Sequence, residues 1–103
     1  MSEFKEPVKD VIDHEQRTAP PPMYSVVLHN DDFTTFEFVI EVLTQICNIS
    51  KEQAFLVAKA VHEQGKGSAG VYTKDVAETK QVLIMDAAQQ QEHPLKVTVE
   101  PSA

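Results

Sequence analysis

The side chains best suited to chemistry in this sequence are the run His29-Asn30-Asp31-Asp32 and a later histidine, His62. An amide oxygen, a carboxylate and a neutral imidazole nitrogen are all hydrogen-bond acceptors, and an ammonium presents three N–H donors. Asn30, Asp32 and His62 could therefore share one ammonium, with Asp31 supporting the same polar site. A free α-amine is largely protonated at neutral pH and would be attracted by the acidic loop, whereas an acetylated terminus has neither the charge nor the donors. Read one at a time, the same residues are turn and cap chemistry: Asn-Asp-Asp-x-Thr suits a tight turn, and a histidine near a helix C-terminus suits the helix dipole. A metal held by Asp31, Asp32 and His62 has acceptable ligand types. It lacks the i, i+4 ligand pair of a metalloprotease helix. An Asp-His acid–base pair is conceivable by side-chain type but has no evident nucleophile or oxyanion donor. There is no Gly-rich phosphate loop, paired-cysteine motif or nucleophile elbow. The expectation is a binding protein with no catalytic residue, metal or cofactor.

The elements that must position these side chains follow from patterning. Tyr24, Val26 and Leu28 alternate with Ser25, Val27 and His29, predicting a strand with one well-buried face. Thr34 and Glu37 have capping-box spacing and predict a helix start, after which Phe36, Phe38, Val39, Ile40, Val42, Leu43, Ile46 and Cys47 form a wide apolar arc ending near Asn48. Ser50 and Gln53 open a second helix over about Lys51 to Gln64, stopped by Gly65, with His62 on its rim. Gly67 to Thr73 reads as a short strand, Asp75 and Glu78 as the cap of a third helix running to about Gln90, and Leu95, Val97 and Val99 as a final strand after Pro94. The order β-α-α-β-α-β predicts an α+β fold, a compact three-stranded antiparallel sheet with three helices on one face.

Composition bounds the function. A chain of 103 residues, 42% hydrophobic, builds one core. Its charge of −7, from 16 acidic against 9 basic residues without a basic face, argues against nucleic acid and suits a cationic ligand. Residues 1–22 are mixed in charge, end in Ala19-Pro20-Pro21-Pro22 and read as a flexible Pro-rich tail ahead of a domain over 23–103. The lone Cys47 suits a reducing compartment. With neither a signal-peptide core nor an apolar stretch long enough to span a bilayer, a cytoplasmic protein without membrane contact is expected.

The blocks HNDDFTTFEFV, AVHEQGKGSAGVYT, DVAETK and EHPL occur in that order and together resemble the bacterial ClpS adaptor family over about residues 23–100. The resemblance implies a ClpS-like fold, of the kind also seen in the C-terminal domain of the ribosomal stalk protein. It implies an adaptor, not an enzyme, that binds N-degron substrates beginning with Leu, Phe, Tyr or Trp and delivers them, as a monomer, to the N-terminal domain of the ClpA unfoldase of ClpAP. By matching position, Asn30, Asp32 and His62 would contact the α-ammonium with Asp31 in support. Thr34, Phe36, Val39, Ala58, Val61 and Leu95 would form the hydrophobic pocket, and Asp75, Glu78 and Lys80 the ClpA face. Members of the family commonly carry methionine where this chain has Phe36 and Ala58, and proline where it has Thr35, so the pocket wall differs. The competing reading is a general protein-interaction domain of the same topology without N-terminus recognition.

Overall fold

The apolar alternation from Tyr24 onward forms β1 (Met23–His29), the central strand of a three-stranded sheet. The structure, a computed structural model, describes residues 20–102. The expected tail therefore lies outside the described residues except for Pro20, Pro21 and Pro22, which are exposed and belong to neither helix nor strand. After β1 come α1 (Phe36–Gln45), α2 (Lys51–Gln64), β2 (Lys66–Thr73), α3 (Lys74–Gln90) and β3 (Lys96–Pro101). The sheet order is β2-β1-β3, with both neighbours antiparallel to β1; the three antiparallel strands are as the sequence pattern predicts, and the structure adds their order.

In register, Leu28 stands opposite Gly67 on one side and Val97 on the other. Val26, Leu28, Ala69 and Val97 share one core cluster with residues of all three helices. On the other side of the pleat Ser25 meets Ser68 at 2.7 Å, and His29 Nε2 lies 2.8 Å from the Thr98 hydroxyl, which donates to Glu100. Val27 belongs to this polar side by alternation yet is buried. It lines a recess together with Ala60 and Gln64 at the end of α2, Ser68 and Glu100.

The second helix forms as patterned. The Ser50 hydroxyl accepts from the Gln53 amide at 3.2 Å, and Gly65 closes the helix with φ +94°, a left-handed conformation that costs an L side chain strain. Directly beyond, Gly67 lets β2 pass beneath α2. A Cβ there would meet the Val57 carbonyl oxygen and Val61 Cγ2, each at 3.0 Å. Gly67→Ala is expected to destabilise the domain by about 1–3 kcal/mol, because the added carbon faces backbone that cannot swing aside. The denaturant midpoint should fall at unchanged slope, and an unmoved midpoint would show that the contact is not tight.

Two helix starts differ from the sequence expectation. The first cap is Thr35, whose hydroxyl accepts from the Phe38 amide at 3.2 Å. Thr34 is drawn backwards instead, because the ionised Asp31 is the stronger acceptor: the Thr34 hydroxyl donates to Asp31 Oδ2 at 2.6 Å. The helix then ends at Gln45, before the Asn48 that was expected to stop it, and Asn48 adopts φ +55° in the following turn. The third helix starts at Lys74, straight after β2, so Asp75 lies inside its first turn and neither Asp75 nor Glu78 is its cap. Thr73, with extended backbone, marks the boundary and donates through its hydroxyl to Asp75 Oδ1 at 2.9 Å. That bond, followed by local backbone amides, holds the Asp75 carboxyl below the usual carboxylate range.

The wide apolar arc of α1 contacts more than α2. Phe38 is buried and stacks at a tilt on His93, with ring centroids 4.7 Å apart. At the other end Lys80 of α3 donates through Nζ to the Ile46 carbonyl at 2.9 Å, placing a cation at a helix C-terminus whose last turn has no basic residue.

Candidate functional site

Between β1 and α1 the chain is held by Asp31. Its Oδ1 accepts from the amides of Phe33 at 2.8 Å and Thr34 at 2.7 Å, while Oδ2 takes the Thr34 hydroxyl. Burial alone pushes this carboxyl up, but the Thr34 hydroxyl and amide, then the Phe33 amide and His93, together bring it below its ordinary value. A second tie fixes the loop against α2: the Asn30 amide donates to the Gly65 carbonyl at 2.9 Å. Because Gly65 ends α2, this bond carries the loop towards His62.

Asn30, Asp31, Asp32, Thr34, Phe36 and His62 consequently line one cleft of about 380 Å³. Asn30, Asp32 and His62 are exposed, and among the described residues no hydrogen bond engages their side chains. Asp31 is occupied with the loop itself. The cleft thus offers an amide, a carboxylate and an imidazole as acceptors, uncommitted among the described residues, around a loop of fixed shape. A larger recess, about 820 Å³, lies along the second half of α3 with His93, Pro94 and Leu95. The smaller cleft is the better candidate because it alone gathers these acceptors beside an aromatic ring.

The residues expected to form the hydrophobic pocket divide into two groups. Thr34 and Phe36 line the cleft, Phe36 half-buried and packed on the core. Val39, Ala58, Val61 and Leu95 are at most 5% exposed and belong to the core cluster, so the structure does not open them to the cleft. One residue escaped the sequence reading. Phe55 of α2 meets Phe36 edge-on, with centroids 5.4 Å apart and planes at 75°. Helical spacing could have revealed it, since Phe55 precedes Ala58 and His62 by three and seven residues on the same face of α2.

Of the residues expected at a partner face, Asp75 and Glu78 are exposed and share a shallow recess on α3 with Thr79, Val82 and Leu83. Lys80 points elsewhere. Besides bonding Ile46, its Nζ lies 5.4 Å from the centre of the Tyr72 ring. The Tyr72 hydroxyl, pushed up to about 12 by burial and then by neighbouring Cys47, donates to the Ala69 carbonyl. Burial also pushes the Cys47 thiol up, which removes the thiolate a nucleophile needs. Among the described residues no cluster of His, Cys, Asp or Glu could hold a metal ion, and no helix is long and apolar enough to cross a membrane.

Comparison with known proteins places these features in context. Residues 19–98 match the family model described as "ATP-dependent Clp protease adaptor protein ClpS". A relative from Neisseria gonorrhoeae named "ATP-dependent Clp protease adapter protein ClpS" is 48% identical over 91 residues, covering 88% of each chain. A relative of the same name from Maricaulis maris is 49% identical over 83 residues, 81% of this chain and 76% of its own. Among solved structures, Agrobacterium tumefaciens ClpS2 bound to L-phenylalaninamide superposes with a TM-score of 0.76 at 35% identity, covering 80% of this chain and 99% of that one.

Proposed function

Because this chain belongs to the ClpS family of ATP-dependent Clp protease adaptors, proteins that are not themselves catalytic, we propose that it captures polypeptides by a free N-terminus with a bulky hydrophobic first residue and delivers them to the ClpA unfoldase. The observation that carries this reading is the cleft in which Asn30, Asp32 and His62, their side chains without a hydrogen bond among the described residues, stand beside Phe36. An α-ammonium satisfies the acceptors, and a Leu, Phe, Tyr or Trp side chain packs against the apolar wall. The ligand of the solved relative, L-phenylalaninamide, has this chemistry: a free α-amine next to a benzyl group.

In this reading Asp31 shapes the loop without contacting the amine as its main task. Thr34 and Phe36 form the outer part of the side-chain pocket, and Val39, Ala58, Val61 and Leu95 its floor, reached when the ligand parts the wall. The charged surface of Asp75 and Glu78 faces the unfoldase's N-terminal domain, with Lys80 bracing the helix that carries it. Residues 23–103 constitute the adaptor domain, acting as a cytoplasmic monomer, and residues 1–22 are the tail that engages the unfoldase during delivery.

Fluorescence anisotropy with a labelled Phe-initiated peptide, its N-acetylated form and a Met-initiated peptide tests this. Each charge-assisted hydrogen bond contributes about 1.5–3 kcal/mol, so acetylation is expected to weaken binding at least about 100-fold. The Met-initiated peptide should bind more weakly than the Phe-initiated one. Equal affinity for the free and acetylated peptides would favour a general interaction surface instead.

A further inference from the structure

We propose that Phe55 is a specificity-setting positioning residue: it holds Phe36 in place and thereby fixes the width of the cleft that receives the first side chain. The inference rests on the reading of that cleft as the N-terminus site.

Among the described residues Phe36 supplies the apolar ring that lines the cleft, beside the imidazole of His62. What meets the Phe36 ring is Phe55, edge-on at 5.4 Å and 75°, the arrangement favoured by the ring quadrupoles. Phe55 is itself 48% exposed, an apolar ring left largely at the surface. It also lines an open apolar recess together with Ile40, Lys51, Glu52 and Leu56. Phe55 therefore touches both Phe36 and this recess. Remove the Phe55 ring, and Phe36 gains a place to tilt into, away from the cleft.

Discrimination among large first residues should then relax. An aromatic pair of this geometry is worth up to about a tenfold equilibrium factor. Phe55→Ala is expected to raise affinity for a Trp-initiated peptide relative to a Leu-initiated one by about three- to tenfold. Phe55→Tyr keeps the ring and points its hydroxyl towards water, so the wild-type ratio should return. Leu56→Ala, an exposed apolar truncation one residue away, should leave the ratio unchanged.

The decisive comparison is the same substitution in a Phe36→Met background. If Phe55 acts through Phe36, its removal there no longer changes the Trp-to-Leu ratio, as a double-mutant cycle reports. The proposal is overturned if Phe55→Ala leaves the ratio at its wild-type value, if Leu56→Ala shifts it equally, or if the shift persists undiminished without the Phe36 ring. Failure of the N-terminus reading looks different: wild-type protein would then bind acetylated and free peptides alike, before any variant is compared.

Discussion

Asp31→Ala is expected to weaken binding of a Phe-initiated peptide at least about 100-fold while the domain stays folded. The carboxylate accepts two amides and one hydroxyl within the loop that carries Asn30 and Asp32. Without it those residues keep their chemistry but lose their fixed positions, and binding must then supply the cost of ordering them. Ordering one residue's backbone costs about 1–2 kcal/mol, so a few loop residues account for the 2.7 kcal/mol that a 100-fold loss represents. Asp31→Asn should fall between, because one oxygen can still accept from the Phe33 and Thr34 amides. Acid should act in the same direction as the substitution. The folded carboxyl sits below its unfolded value, so its contribution is complete above the ordinary carboxylate range, about pH 4, and is lost as pH falls through the depressed folded value. Peptide affinity and circular dichroism, measured together, separate a disordered loop from an unfolded domain. Binding by Asp31→Ala within threefold of wild type would sink the assignment of Asp31 as the loop's anchor.

The same loop shows where sequence patterns stop being informative. Ser50 and Gly65 could be assigned from spacing because each is the single strong candidate for its position, and the structure uses both that way, with Gln53 contributing its backbone amide. Ahead of α1 two threonines compete, and spacing alone selects Thr34. The structure selects Thr35, because a charged acceptor three residues back claims Thr34. Ahead of α3 the pattern favours Asp75, an ordinary cap residue. The strand that runs to Thr73 leaves no linker, so the helix begins before Asp75 is reached. In both cases local chemistry was read correctly and the competition between neighbours decided the outcome.

The polar half of the candidate site was legible for a related reason. Singly, Asn30, Asp32 and His62 read as turn, cap and helix-end residues; it is as three acceptors for one ammonium that they group, and the Asn30-to-Gly65 hydrogen bond explains how the distant segments meet. The apolar half was not. Val39, Ala58, Val61 and Leu95 have residue types that serve equally as core or as pocket wall, and burial within one continuous cluster is the state the structure gives them. Phe55 was overlooked because an exposed aromatic on a helix is unremarkable until its partner ring is known. Lys80 reverses the pattern: it looked like a surface charge and proves to brace one helix end from another.

Leu28→Ala is expected to be the most destabilising truncation tied directly to the site. Leu28 is 0% exposed on the central strand, flanked by Gly67 and Val97, and the chain enters the acceptor loop just beyond it. Buried Leu→Ala changes cost about 2.7–5 kcal/mol, and here little relaxation is available: Gly67 has no side chain to fill the space, and β2 is already tight against α2. A domain of this length has about 5–15 kcal/mol in total, so the loss is a large share. At about 4–8 °C per kcal/mol, the melting temperature should fall by more than about 10 °C. Val82→Ala, at a position 64% exposed, should stay within about 0.5 kcal/mol of wild type. A fall of less than about 5 °C for Leu28→Ala would contradict the packing described for the central strand. A Phe-initiated peptide at about 100 times its Kd should restore roughly 2.7 kcal/mol to the variant, because it binds only the folded chain. That recovery would show the cavity has weakened the fold while leaving the acceptor loop able to assemble.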